Sequence, residues 1–445
     1  MFKSIPLFAT LVLLSFTSAA PLILPVGDTG VSLSINEDGV VASLDGQTID
    51  LGTALNKVVG ASTSEDAERG NQNQASAANG NPKAVYFISN AAKNSIVALK
   101  VASNGLLSDG SITATGGLGA VGVDAMGKPV AVDPLFSQGA IKVEGNAMVA
   151  VNPGSNTISM FLIDHQDPTK LRMVGKPADT LGEFPVSVTI SSKLSMACVA
   201  NSGAKAGIAC FSMSKAGLKP LDKTLRPFEL NQSTPPVGPT NTVSQTFFNA
   251  DSTALLTTVK GDPMKNNTGF LSSFPVEDGC VSMTGTRSSP NGTAVLFGST
   301  TLPGTNDIFV TDASFGAATL SLTSKNIGAI KASTKIEGQV ATCWATFSSA
   351  TKTAFVTDVG TNILNEIDVS TGALVKGLDA NNGNMGMIDL QAKGNFIYAL
   401  APGNMSKVAV FDVSGGQGSV KAVQNFQPKG MGMGIGGSAQ GIALL

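Results

Sequence analysis

Histidine occurs once in 445 residues, tryptophan once and tyrosine twice. A single imidazole leaves too few ring nitrogens for a histidine-built metal centre and only one possible histidine base for a serine nucleophile. No Gly-x-Ser-x-Gly phrase occurs either, so hydrolysis of the serine type has no nucleophile elbow. Charge is scarce: 13% of residues are charged, the formal net charge is −2, and no basic cluster occurs. Such a chain has no electrostatic reason to bind nucleic acid or an anionic lipid surface. The four cysteines lack the paired two-residue spacing of a structural zinc site. The aspartates form no recognised calcium loop, and Met431-Gly-Met-Gly-Ile-Gly-Gly437 lacks the strand-turn-helix setting of a dinucleotide site. No metal and no cofactor is therefore expected. Long segments of 3.6-residue period are nearly missing, which argues against an α/β architecture.

What is present is turn-forming and apolar: 50 Gly, 21 Pro and 42% hydrophobic residues. Lys3 precedes an apolar run from Ile5 to Phe16 that ends in Ser18, Ala19 and Ala20. This reads as a secretory signal peptide over 1–19, too short for a bilayer span; no later stretch is long or apolar enough for one. The C-terminal Gly441-Ile-Ala-Leu-Leu445 is too short for a lipid-anchor signal. Sequons at Asn231, Asn266, Asn291 and Asn404 lie in turn-rich stretches where an oligosaccharide could face water. An even cysteine count in an exported chain permits two disulfides. Cys198 and Cys210 sit at matching distances from the turn Ser202 to Gly207, so a hairpin would set them face to face; elimination then pairs Cys280 with Cys343.

Internal repetition organises the rest of the chain. The unit is an apolar strand, a polar turn, a second apolar strand ending in Gly, Asn or Asp, and a third strand. Its second strand recurs at Ala84 to Ile88, Ala147 to Val151, Met196 to Ala200, Ala254 to Thr258, Ala294 to Gly298, Ala354 to Asp358 and Phe396 to Leu400. Seven copies at irregular spacings of roughly 40 to 60 residues predict an all-β, seven-bladed β-propeller over 83–445, with four strands per blade. The first copy lacks its opening strand, and Ser438 to Leu445 reads as an opening strand with nothing after it. The C-terminal strand is therefore expected to pair with Ala84 to Ile88 and close the ring, removing the open edges. Residues 20–60 carry short alternating runs at Val31 to Ile35, Val40 to Leu44 and Thr48 to Leu51, which suit a small β appendage or a propeptide. Residues 61–82, rich in Asn, Ala and Gly, read as a flexible linker.

Ala84-Val-Tyr-Phe-Ile-Ser-Asn90 with Asn94-Ser-Ile96, Val151-Asn-Pro-Gly-Ser-Asn-Thr-Ile158 and Leu255-Leu-Thr-Thr-Val-Lys-Gly261 resemble the lactonase-type seven-bladed propellers. That family includes bacterial 6-phosphogluconolactonases and fungal carboxymuconate lactonizing enzymes, and the chain is most similar to secreted fungal carboxymuconate cyclase-like members, some of them cell-surface antigens. The resemblance covers about Asn81 to Leu445. It implies a small carboxylate-bearing lactone as substrate and a mouth that carries a His with Arg and Glu. The phrases that should hold that His, Phe184-Pro-Val-Ser187 and Asn241-Thr-Val-Ser-Gln245, hold none.

His165 follows a late strand and reads as a solvated rim residue. Arg226 and Glu337 are the candidates for a substitute acid-base pair; the plainer reading is that loop charges meet water. Lys260, at the end of a strand, is a candidate anion ligand or a turn residue, and Gln245 a candidate ligand contact in the first strand of its copy. Trp344 is placed on an inner strand, where its ring either packs between blades or stacks on a ligand. The expectation is a secreted, glycosylated, monomeric propeller that has diverged from catalysis and meets an extracellular or cell-wall partner or a small carboxylate or lactone. The alternative is an active lactonase or cycloisomerase.

Overall fold

The computed structural model describes residues 80–401, 403, 405–429 and 435–445, together with the backbone of four strands between 22 and 50. The chain divides into two compact units, 1–78 and 79–445. In the first unit, Leu22–Pro25, Val31–Asn36, Gly39–Leu44 and Gln47–Asp50 form an antiparallel meander in sequence order. The signal segment, most of the linker and Asn404 lie outside the described residues.

The second unit is a seven-bladed β-propeller, each blade built on a four-stranded antiparallel sheet with its strands in order from the axis outward; two blades add a short fifth strand, Arg226–Pro227 in one and Thr286–Ser288 in the other. Numbered along the chain, the blades begin with inner strands Gln440–Leu444, Ile141–Glu144, Pro185–Ser191, Val243–Phe248, Leu296–Thr301, Thr342–Ser348 and Ile388–Lys393. Blade 1 is built from both ends of the unit: Gln440–Leu444 pairs with Ala84–Ile88, Ala443 lying opposite Tyr86. Second strands such as Ala84–Ile88, Met196–Asn201 and Phe396–Ala401 are buried throughout, because each is covered on both faces by neighbouring blades. That is why they read as continuous apolar runs. Outer strands such as Leu374–Asp379 face water and carry the charge.

One copy of the repeat is corrected. Ala294 to Gly298 leads into the inner strand of blade 5, and the second strand there is Ile308–Asp312. Gly298 explains the difference: a Cβ on it would lie 2.2 Å from Gln138 Oε1, so the strand is thinned where it meets the axis.

Two buried tyrosines tie the blades around the closure. Tyr86 in blade 1 donates its hydroxyl to the Pro168 carbonyl of blade 2 at 2.7 Å, and Tyr398 in blade 7 donates to the Gly105 carbonyl of blade 1 at 2.8 Å. Cys198 and Cys210 are directly opposed in blade 3 and disulfide-bonded, with Cα atoms 4.1 Å apart. Cys280 and Cys343 do not pair: Cys280 is exposed on a hairpin of blade 4, while Cys343 is buried on the inner strand of blade 6. An even count constrains parity, not distance, and one thiol is exposed on a hairpin of blade 4 while the other is buried among apolar side chains on an inner strand of blade 6.

Candidate functional site

In a four-stranded meander the second-to-third turn and the blade-to-blade connection lie at one end, and the other two turns lie at the opposite end. The connection end is where a propeller presents its mouth. Here the connection from blade 1 to blade 2, residues 115–140, crosses that end, and its last part, 133–140, enters the axis.

The inner strands are shaped to receive it. In six blades the pairing of the inner and second strands slips by a bulge, at Val186, Ser244, Phe297–Gly298, Cys343, Asp389 and Gly441–Ile442. A bulge turns backbone and side-chain groups out of the ladder, and these turn toward the plug. Ser137 Oγ donates to the Val186 carbonyl at 2.8 Å, and Gln138 N donates to the Ser244 carbonyl at 2.9 Å. Gly139 N donates to Asp389 Oδ2 at 2.9 Å. The Gln138 amide pairs both ways with Ala345, at 2.9 and 3.0 Å, as a short cross-strand bridge would. Trp344 donates its indole N–H to the Ser137 carbonyl at 3.0 Å and packs edge-on against Phe297, with ring centres 5.1 Å apart.

Charges gather around this segment. Lys260 Nζ donates to the Phe136 carbonyl at 2.6 Å and to Ser244 Oγ at 3.1 Å, and lies 4.2 Å above the Phe297 ring. Asp133 accepts from Ser137 N at 3.2 Å and from Gln440 Nε2 at 2.9 Å. Burial raises the Asp133 pKa and lowers that of Lys260, each shift opposed by the charge of the other. Burial also pushes Asp389 up to about 7, against hydrogen bonds from the backbone of Gly139, Ile442 and Leu390. The Cys343 thiol is raised well above its usual value by the same desolvation. Perturbed groups of this kind mark acid-base sites when they line a cleft. Here Asp389, Gln138 and Gln440 are each no more than 1% exposed, and the space between them holds the chain itself.

The sequence candidates scatter. Arg226 is not at the mouth: it is 1% exposed between the outer parts of blades 3 and 4. Its guanidinium grips Asp222 at 2.6 and 3.0 Å and donates to the carbonyls of Ser282 and Val281 at 2.7 and 2.6 Å, so every direction is occupied by a structural partner. Glu337 does lie at the connection end, but its side chain is 82% exposed and pairs with Lys335 at 2.8 Å. These two form no acid-base pair. Gln245 accepts from Ser299 N at 2.6 Å, which ties blade 4 to blade 5. His165 is exposed between the third and fourth strands of blade 2, at the end opposite the mouth. Of the candidates, the structure brings Lys260 and Trp344 together, both on the plug. It adds Asp133, Asp389, Gln138 and Gln440, which sequence reasoning missed. Asp389 left a signal, a carboxylate set within the apolar Met387-Ile388 and Leu390 of an inner strand.

Open space lies off the axis. A hollow of about 790 Å³ opens between the connections around blades 6, 7 and 1, lined by Val130 to Val132, Met385, Met405, Lys407 and Gln427 among others. A second hollow of about 410 Å³ shares Lys407 and Gln427 and adds Asp109 and Lys429; Asp109 accepts from Lys429 N at 3.4 Å. Exposed Asn231, Asn266 and Asn291 all lie at this same end, in the connections and the turn around blade 4.

Fold and site together define a seven-bladed propeller whose axis is filled by its own chain. No protein-family model and no curated protein matches the sequence. Among solved structures, a Bacteroides uniformis protein proposed to be a 6-phosphogluconolactonase is similar at 17% identity, covering 64% of this chain and 83% of its own, with a TM-score of 0.50. The periplasmic gluconolactonase of Pseudomonas aeruginosa is similar at 13% identity, covering 62% of this chain and 80% of its own, with a TM-score of 0.48. At these identities the likeness is one of fold.

Proposed function

We propose that this chain is a secreted, glycosylated, lactonase-like propeller that has lost the catalytic mouth and serves as an extracellular or cell-surface binding protein. One observation carries the reading: residues 133–140 occupy the axial position where a lactone would have to bind, and they are bonded to the inner strands by Ser137, Gln138 and Gly139. The missing histidine at Phe184-Pro-Val-Ser187, the structural duty of Arg226 and the solvated Glu337 agree with it. Export is supported by the leader-like N-terminus and by exposed sequon asparagines.

The test is turnover of 6-phosphogluconolactone and carboxymuconolactone by the purified protein. The expected result is a rate no higher than that of the buffer. Turnover that Lys260→Met or Asp389→Asn abolishes in a folded protein would sink the proposal, because it would place chemistry at the plugged axis.

A further inference from the structure

We propose that the off-axis hollow between blades 6, 7 and 1 binds a small carboxylate with an apolar body, the carboxylate meeting Lys407 and the body lying against Met385 and Met405. The inference deepens the binding role proposed above and rests on it.

Lys407 is the one charged side chain among the described residues that line the larger hollow. It is half-buried, and no described carboxylate lies within ion-pair reach of it. Elsewhere at this end, other lysines have found acceptors within the protein: Lys260 holds a carbonyl and a hydroxyl, and Lys265 holds Asp262 at 3.2 Å. Gln427, beside Lys407, donates its amide to Met405 Sδ at 3.2 Å. A thioether is a weak acceptor, so that amide keeps most of its capacity for a better one. Lysine and amide thus present donors into the same space, which selects an acceptor-only group such as a carboxylate.

The rest of the wall is apolar and adaptable. Met385 is 75% exposed and Met405 46% exposed, large apolar groups left uncovered where most others among the described residues are buried. Methionine shapes itself to varied apolar surfaces. Val130, Ala131 and Val132 face them from the segment that leads into the plug. At about 790 Å³ the hollow is within the range of small-molecule sites, roughly 300–1,000 Å³, and has room for a ring as well as its acid group.

The probes are 4-phenylbutyrate, its uncharged amide, and inorganic phosphate, titrated calorimetrically into the full purified protein. Phenylbutyrate should bind at least tenfold more tightly than the amide or phosphate. Lys407→Met should weaken the carboxylate at least tenfold and leave the amide unchanged, while Lys407→Arg should retain it. Lys128→Met, an exposed lysine at the same end, should have no effect, and matched unfolding midpoints will show that each variant is folded. Equal affinity for acid and amide, no binding of the acid, or binding indifferent to Lys407→Met overturns the assignment. Tighter phosphate than phenylbutyrate also overturns it, because the apolar wall would then play no part. Lactone turnover measured on the same samples separates the two proposals: turnover counts against the closed axis, and missing carboxylate binding counts against this hollow alone.

Discussion

The axis and the off-axis hollow stand at the same end of one propeller and use their charges in opposite ways. On the axis, Lys260, Asp133 and Asp389 are buried and bonded to the plug or to the strands around it, so their charge is spent on holding the chain in place. In the hollow, Lys407 has no ion-pair partner among the described residues and lines open volume. Burial and shifted acidity alone therefore do not identify a ligand site; free donors beside empty space do. The perturbed acidities gather on the axis, where residues 133–140 already occupy the space.

The sharpest way to break that comparison is to loosen the plug. Trp344→Ala removes the ring between the plug and Phe297 and one of the two donors to the Ser137 carbonyl, the other being Gln440 Nε2 at 2.9 Å. A loss of about 3–5 kcal/mol is expected from a buried aromatic truncation of this kind, read as a lower denaturant midpoint. A loss under about 1 kcal/mol would mean that the plug is not integral to the fold. Arg226→Ala should cost about 3–5 kcal/mol, because it leaves the Asp222 carboxylate, 8% exposed, without its partner. That loss should come with no change in phenylbutyrate binding.

Acidity tests the axial side of the comparison. Asp389 holds its proton more tightly when folded, with its pKa raised from 3.8 to about 7. Its stabilising proton is fully bound below the unfolded value and is lost as pH rises through the folded one, so stability should fall between about pH 4 and pH 7. The raised Asp133 acts in the same sense; the lowered Lys260 acts oppositely, adding stability above neutrality. Turn aspartates such as Asp164 and Asp368 are held below the usual carboxylate range by hydrogen bonds, and their contribution is complete by about pH 4. The expected profile has its minimum near neutrality, with an acid-side gain on the order of a few kcal/mol. Asp389→Asn should flatten that limb in urea midpoints measured across pH; an unchanged limb would remove Asp389 from the account. The smallest expected effect is that of Glu337→Gln, whose exposed pair with Lys335 should leave both stability and binding unchanged.

Much of the fold was legible because burial on both faces leaves a plain mark. Six of the seven second strands stood where their apolar runs stand, and the closing strand was readable from a first copy without its opener and an orphan strand at the end. Blade 5 was misread by one strand because Gly298 interrupts the apolar phrase where the plug presses on it. The cysteine hairpin could be seen because its loop is local. The pairing of Cys280 with Cys343 failed because elimination carries no distance.

The site was much less legible. Lys260 and Trp344 were singled out by residue type, but the partner that gives them their role, residues 133–140, is irregular backbone with no periodicity to reveal it. Arg226 looked like a loop cation because Asp222 and the carbonyls of Val281 and Ser282 surround it only in space. By itself, then, the sequence determined an all-β ring of seven apolar repeats and its manner of closure, since periodicity and burial are written locally. Only the tertiary structure decided that the axis is filled and that a lysine with no ion-pair partner among the described residues lines a hollow beside it. Those facts depend on which distant segments meet at the centre of the ring, and no local pattern of residues encodes that meeting.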